Sequence, residues 1–343
     1  MNSLGKNFVF TSFGESHGRA IGGVLDGVPA GVQIDLDMIR QALDKRAGRL
    51  AAKGDEAIKR EAGISPRAKR EKDEVEWLSG VLDGVTLGTP IAFIIRNADA
   101  RSQDYDWLKH NYRPGHADQT YQEKYGIRDH RGGGRASARE TASRVVAGAI
   151  AQQLLAEKKI QISARLVQVG TETNPDKFAQ YIADIQKQGD SIGGVVECTI
   201  TGLPVGLGEP VFDKLQSHLA YAMMSINACK GFEYGSGFAG IALKGSEMYL
   251  SNDPQLVSGG IAGGISDGNP IVFRCVFKPT ATNRKTLEAL CAEVQKVQEF
   301  RSSGDSKIPV GRHDACVAVR AVAVVEAMAA LVLQDFLSLN TKY

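Results

Sequence analysis

The sequence predicts an α+β fold, a layered β-α-β arrangement with antiparallel sheets around central helices, and three observations carry that expectation. Short β-prone runs recur in pairs about tight-turn signals, as hairpins do. Helical segments are interspersed among them. Two of the helical segments, "ASRVVAGAIAQQLL" and "AVRAVAVVEAMAALVL", are apolar on several faces, so they need cover on most sides, from sheets or from a second copy of the chain. Hairpins in this number disfavour a doubly wound parallel sheet.

Taken along the chain, three stretches resemble one another: "GGVLDGVPAGVQI" from Gly22, "SGVLDGVTLGTPIAFII" from Ser79 and "GGISDGNPIVFRCVF" from Gly264. Each has an Asp-Gly pair between β-prone runs, the signal of a two-residue hairpin. The repetition predicts sheets built from duplicated hairpin units, with one of the three similarities open to coincidence. Helices are expected over residues 35–45 with Asp35 as N-cap, 137–158 with Glu140 as the capping-box partner of Ser137, 176–188, 209–224, 286–300 and 315–339. The whole chain is expected to form one domain.

Two segments stand apart. Residues 45–73 hold ten Lys or Arg against five Asp or Glu and little periodicity, which predicts a mobile basic loop. In 283–309 the residues Leu287, Leu290, Val294, Val297 and Phe300 fall three and four apart, which predicts an amphipathic helical insertion.

A formal net charge of +2 over 343 residues excludes wholesale nucleic-acid binding as the default, so a cationic site must be local. Aromatic residues make up 7% and do not interleave with the basic stretches, as a stacking platform for single strands requires. Neither a GxxxxGK[ST] loop nor a His/Cys cluster of ligand spacing occurs, which removes the usual kinase and metal-site readings. The five scattered cysteines and the absence of a leader-like or purely apolar span predict a cytoplasmic protein.

The local cationic site is "RGGGRASARET" at 131–141. Glycines ahead of a helix let main-chain N–H groups face an anion, and Arg131, Arg135 and Arg139 surround that point. Unpaired guanidinium groups repel, so the expectation is that anionic ligands lie between them. The bland alternative is a flexible, solvated charge run.

The company of this segment decides between the two. "FGESHG" (13–18), "RPGHAD" (113–118), "RGGGRASARET", "MSINACKG" (224–231), "FKPTAT" (277–282) and "GRHDACV" (311–317) resemble, in order and across nearly the entire chain, the signature blocks of the chorismate synthase family. The resemblance implies conversion of 5-enolpyruvylshikimate 3-phosphate to chorismate by 1,4-anti elimination, at the end of the shikimate pathway, with reduced FMN required. NADPH enters as a candidate reductant, and a homotetramer is implied. His17 corresponds to the acid beside the leaving phosphate and His116 to the residue that protonates or stabilises reduced flavin. Asp314 corresponds to an aspartate in the relay of the ring hydrogen, although a bare reading makes it the N-cap of the last helix. Arg135, Ala136, Ser137, Asn227, Ala228, Gly263, Lys278, Pro279, Thr280, Ala281, Thr282 and Arg312 correspond to flavin contacts. Arg46, Arg49, Arg113 and Arg139 correspond to substrate or NADPH contacts, with Lys53, Arg60 and Arg67 competing for the place given to Arg49. His110, His130 and His218 match no block. The chain departs from the family pattern in its long 45–73 segment, in 283–309, and at Ala136, where many members carry serine.

Overall fold

The structure is a computed structural model that describes residues 1–49, 73–98, 108–286, 288–289 and 314–339. The chain opens with strands β1 (Ser3–Leu4), β2 (Val9–Phe13) and β3 (Ala20–Asp26), then helix α1 (Leu36–Arg46). Four more strands follow: β4 (Val75–Ser79), β5 (Val81–Leu82), β6 (Val85–Thr86) and β7 (Ile91–Arg96). Helices α2 (Asp118–Tyr125) and α3 (Thr141–Glu157), strand β8 (Gln161–Val169), helix α4 (Pro175–Lys187), strand β9 (Gly194–Thr201) and helix α5 (Leu215–Met224) come next. Strands β10 (Cys229–Tyr234), β11 (Ile261–Ala262), β12 (Ile265–Ser266) and β13 (Ile271–Phe277) precede helix α6 (Ala318–Leu339). Two larger antiparallel sheets result, ordered β1-β2-β3-β7-β4 and β10-β13-β9-β8. The fold is therefore mixed α+β with antiparallel sheets, as expected.

Helix α3 packs on β2, β3 and β7, α6 packs on β8 and β9, and the two helices pack on each other. Their extensive burial explains the apolar residues all round, including Ala318 and the run from Ala321 to Leu333, within which Glu326 is paired with Lys45. Gly148 of α3 lies so close to α6 that a Cβ there would come within 2.4 Å of Ala327 Cα. Helix α6 is long and apolar enough to cross a membrane, but 83% of its apolar window is buried inside the fold. Asp335, near its end, accepts from the main-chain N–H groups of Lys6, Asn7 and Phe8 at 2.7–2.9 Å, which ties the N-terminal segment to the core.

The duplication is real, but its register differs from the one the Asp-Gly pairs suggest. Asp83 and Gly84, with φ of +50° and +80°, do turn the β5–β6 hairpin as a type I′ pair. The equivalent turn of β11–β12 is Gly263-Gly264 (φ +64° and +102°), so residues 79–96 correspond to 259–276 and Asp267 falls after the hairpin. Asp26 ends β3 and turns no hairpin; residues 20–32 correspond instead to 195–207. The bonds repeat faithfully. Thr86 Oγ1 donates to Pro29 O and accepts from Val32 N (2.6 and 2.9 Å), and Ser266 Oγ does the same with Pro204 O and Leu207 N (2.6 and 2.9 Å).

Helix boundaries carry further corrections. Asp35 caps α1 by accepting from Met38 N at 2.9 Å, as expected. Ser137 caps a single 3₁₀ turn, and α3 starts only at Thr141. The Glu140 side chain turns forward to Arg144 at 2.7 Å rather than back to close a capping box. The helix expected over 209–224 begins at Leu215. Lys45 and Arg46 belong to α1 and not to the basic loop foreseen from 45; residues 50–72 lie outside the described residues, as does most of 283–309. Its described beginning, residues 284–286, is helical and capped by Asn283, whose Oδ1 accepts from Thr286 N at 2.9 Å.

Candidate active site

A cavity of about 660 Å³ gathers residues from six separated parts of the chain. Arg113 and His116 reach it from the loop before α2, and Arg135, Ala136, Ser137 and Arg139 from the turns before α3. Asn227 and Ala228 come from the link between α5 and β10, Lys278, Pro279, Thr280, Ala281 and Thr282 from the end of β13, and Asp314 from the approach to α6. Ser12 and the N-terminal residues Met1–Leu4 close one side.

The glycine triplet is the wall on which two histidines rest. Gly132, Gly133 and Gly134 have φ of +63°, +91° and +53°, a run of left-handed conformations that side chains resist. A Cβ on Gly132 would stand 2.2 Å from His17 Cδ2, and one on Gly133 would stand 2.5 Å from His116 Cε1. His116 lines the cavity, whereas His17, 6% exposed, sits beside Gly132 rather than on the lining. Part of the expected cradle of amides is used up: Gly134 N, Ala136 N and Ser137 N donate to Arg131 O, Gly133 O and Gly134 O at 3.0–3.4 Å. The triplet also makes room for the two imidazoles.

The arginines also behave differently from the expectation that ligands alone offset them. Arg131 is held by Asp129 at 2.8 Å and does not line the cavity. Arg113 makes a bidentate pair with Asp118, both bonds 2.8 Å. Burial alone raises the Asp118 pKa, but hydrogen bonds from Arg113 and His116 outweigh it and hold the carboxyl well below the usual range. Arg139 is ion-paired with Asp73 and donates Nε to Asn97 Oδ1 at 2.9 Å. Arg46, expected at the substrate, is 1% exposed and off the lining; its Nε donates to Thr141 Oγ1 at 2.9 Å, its Nη2 to Ala138 O at 2.7 Å, and its Nη1 lies 3.5 Å from Asp73. Burial pushes the Asp73 carboxyl up, and Arg139 and Arg46 together pull it below its ordinary value. Arg49 pairs with Asp44 at 2.7 Å, also off the lining. Gly263, at the β11–β12 tip, does not line this cavity. Arg312, Lys53, Arg60 and Arg67 lie outside the described residues.

Three lining cations, Arg135, Lys230 and Lys278, show no carboxylate partner among the described residues. Arg135 donates to Ser12 Oγ at 2.7 Å and to main-chain oxygens of Ser12 and Gly14 at 3.3 Å. Lys278 donates to Gly115 O at 2.6 Å, and burial together with Lys230 lowers its pKa. Two buried polar atoms, Asn227 Oδ1 and Thr280 Oγ1, have no hydrogen-bond partner among the described residues, an arrangement native proteins rarely leave without a guest. Ala228, between these groups, holds the strained φ of +67°. Asp314 faces the cavity while pairing with Arg320 at 2.8 Å, and Arg320 Nε reaches Arg46 O at 3.1 Å. Three spare cations and two orphaned polar atoms fit an anionic guest with a polar ring system, such as a flavin mononucleotide.

Sequence reasoning missed Asp118, Asp73, Asn97 and Ser12. Asp118 was legible, since it closes the RPGHAD block itself; Asp73 and Ser12 carry no local signal, because only folding brings them to their arginines.

A model of the family described as chorismate synthase matches residues 8–338. A chorismate synthase of Flavobacterium psychrophilum is 48% identical, covering 100% of this chain and 98% of that protein. One of Bacteroides thetaiotaomicron is 45% identical over 99% of this chain and 98% of that protein. A crystal structure of chorismate synthase superposes with a TM-score of 0.70 at 30% identity, covering 97% of this chain and 92% of that one.

Proposed function

This chain belongs to the chorismate synthase family and is an enzyme of the lyase class, and from that premise we propose that it performs the 1,4-anti elimination of phosphate from 5-enolpyruvylshikimate 3-phosphate, with reduced FMN, to give chorismate. The observation that carries this reading is the convergence on one cavity of His116, Arg135, Asn227, Lys278, Thr280 and Asp314, residues far apart in the chain. Reduced FMN, when bound, supplies electron density to an allylic system that is losing phosphate. The protein's share is placement and charge. Arg135 and Lys278 bind anionic oxygens, with Lys278 and Thr280 suited to the flavin phosphate and Asn227 to the polar ring edge. By its place in the family pattern His17 supplies the proton for the departing phosphate, from beside Gly132 rather than from the lining, and His116 holds one beside the flavin. Asp314 assists loss of the ring hydrogen while Arg320 keeps its carboxylate in place. Arg113 and Arg139, neutralised by Asp118 and Asp73, shape the wall more than they supply charge.

The same reading makes the chain a single domain, with two sheets enclosing the α3–α6 pair as a β-α-β sandwich, assembled as a homotetramer in the cytoplasm. An anaerobic assay with 5-enolpyruvylshikimate 3-phosphate and chemically reduced FMN tests it, and chorismate is the expected product. A second arm with NADPH and oxidised FMN decides whether the enzyme reduces its own flavin. No product in either arm overturns the proposal.

A further inference from the structure

His116 Nδ1 lies between two groups that make opposite demands on it. Asp118 Oδ1 is 3.0 Å away and Arg113 Nη2 is 3.1 Å away. The carboxylate already accepts from Arg113 N, Nε and Nη2 at 2.8–3.0 Å. Arg113 Nη2 carries two hydrogens; it donates to Asp118 Oδ1 at 2.8 Å and also lies 3.1 Å from His116 Nδ1. The guanidinium cannot rotate away without breaking its bidentate pair. Arg113 and Asp118 are 7% and 4% exposed, so water offers little alternative. Lys278 fixes the same loop from the other side through Gly115 O at 2.6 Å.

A neutral imidazole has one N–H and one bare nitrogen. Nδ1–H can donate to Asp118 Oδ1, leaving Nε2 bare, or a bare Nδ1 can accept from Arg113 Nη2, leaving the ring's proton on Nε2; Asp118 already accepts three bonds from Arg113, which favours the second. A protonated imidazole turns Nδ1–H toward Asp118 Oδ1 and keeps the proton on Nε2. We propose that the Arg113–Asp118 pair is the positioning element that holds His116 as a permanent Nε2–H donor toward the cavity, in both charge states of the ring. The inference rests on the reading above that His116 faces the cofactor, and it refines it: His116 donates to the electron-rich guest and never presents a bare Nε2 as a base. Asp118 touches no ligand; it acts through Arg113.

The test is ¹⁵N NMR of the full-length, ligand-free protein labelled in its histidines, with the His116 signals identified by their loss in His116→Gln. Above the pH at which the ring loses its charge, the protonated Nε2 form is expected; a protonated Nδ1 form overturns the proposal. This measurement on the unaltered protein needs no variant to fold. Asp118→Asn adds a second readout: a mixture of the two neutral forms, and a kcat at least tenfold lower while the Kd for FMN stays within threefold. Unchanged tautomer and kcat in that variant also overturn the proposal. Wild-type turnover in His116→Ala, by contrast, sinks the functional reading of His116 whatever the tautomer.

Discussion

Asp73 and Arg139 form a buried ion pair at the rim of the cavity, their side chains 2% and 4% exposed, with Arg46 reaching the same carboxylate from the far side. One carboxylate thus holds two guanidinium groups, one at the end of α1 and one in the turn that leads into α3. Removing its charge takes a counter-ion from both. Asp73→Asn is expected to destabilise the protein by about 3–5 kcal/mol, the usual cost of breaking a buried pair, and to lower turnover through the displaced Arg139. Thermal or urea unfolding measures the first and steady-state kinetics the second.

The same carboxylates predict the acid limb of stability. Asp73 and Asp118 both have folded pKa values below their ordinary ones, so each contributes stability that is fully present above the unfolded carboxylate value of about 3.9. That contribution is lost as pH falls through the depressed folded values. Midpoints of urea unfolding should therefore hold steady on descending to about pH 5 and fall below about pH 4. In Asp73→Asn the fall should be shallower, and an equal slope in the two proteins would remove Asp73 from the explanation.

Gly132→Ala sets a side chain against His17 at a φ of +63°. The left-handed backbone alone costs about 1–2 kcal/mol, and the clash must move the imidazole. The expectation is a modest drop in Tm and a fall in kcat of about tenfold or more, the low end of what a misplaced acid–base group costs. Normal turnover would show that His17 does not depend on its resting place.

Arg135→Ala and Lys278→Ala should each weaken FMN binding by about 10- to 150-fold, the equivalent of one charge-assisted hydrogen bond of about 1.5–3 kcal/mol. Arg131→Ala should leave the affinity unchanged, because Arg131 pairs with Asp129 away from the lining. Flavin fluorescence titration distinguishes the cases, and similar losses in all three would mean that net charge alone governs binding.

His17→Ala and His116→Ala should each lower kcat by about tenfold to a thousandfold with unfolding curves like the parent protein's. Retention of parental turnover in either variant would refute its role.

The α+β class, the Asp35-capped helix and the two all-apolar helices were legible because each is a local pattern: periodicity, a cap, or an absence of any polar face. Motif residues from Arg113 to Asp314 were legible as a set through their resemblance to one family, and folding does bring most of them to one cavity. The register of the duplication was not, since Asp26-Gly27 and Asp83-Gly84 look alike in sequence while only the second turns a hairpin. Which arginines remain open to a guest was not legible either. Arg113 and Arg135 are both arginines in glycine-containing segments, and nothing local says that one is committed to Asp118 while the other, among the described residues, meets only hydroxyl, amide and carbonyl oxygens.

Residue order alone therefore determined the class of fold, the segments that meet and the kind of guest they suit, because those follow from short-range patterning and from a set of blocks that travel together. Tertiary structure decided the charge balance. Ion pairing depends on which carboxylate arrives within about 4 Å of a guanidinium, and Asp73, 66 residues from Arg139 in the chain, is brought there only by the packing of α1, β4 and the turn ahead of α3.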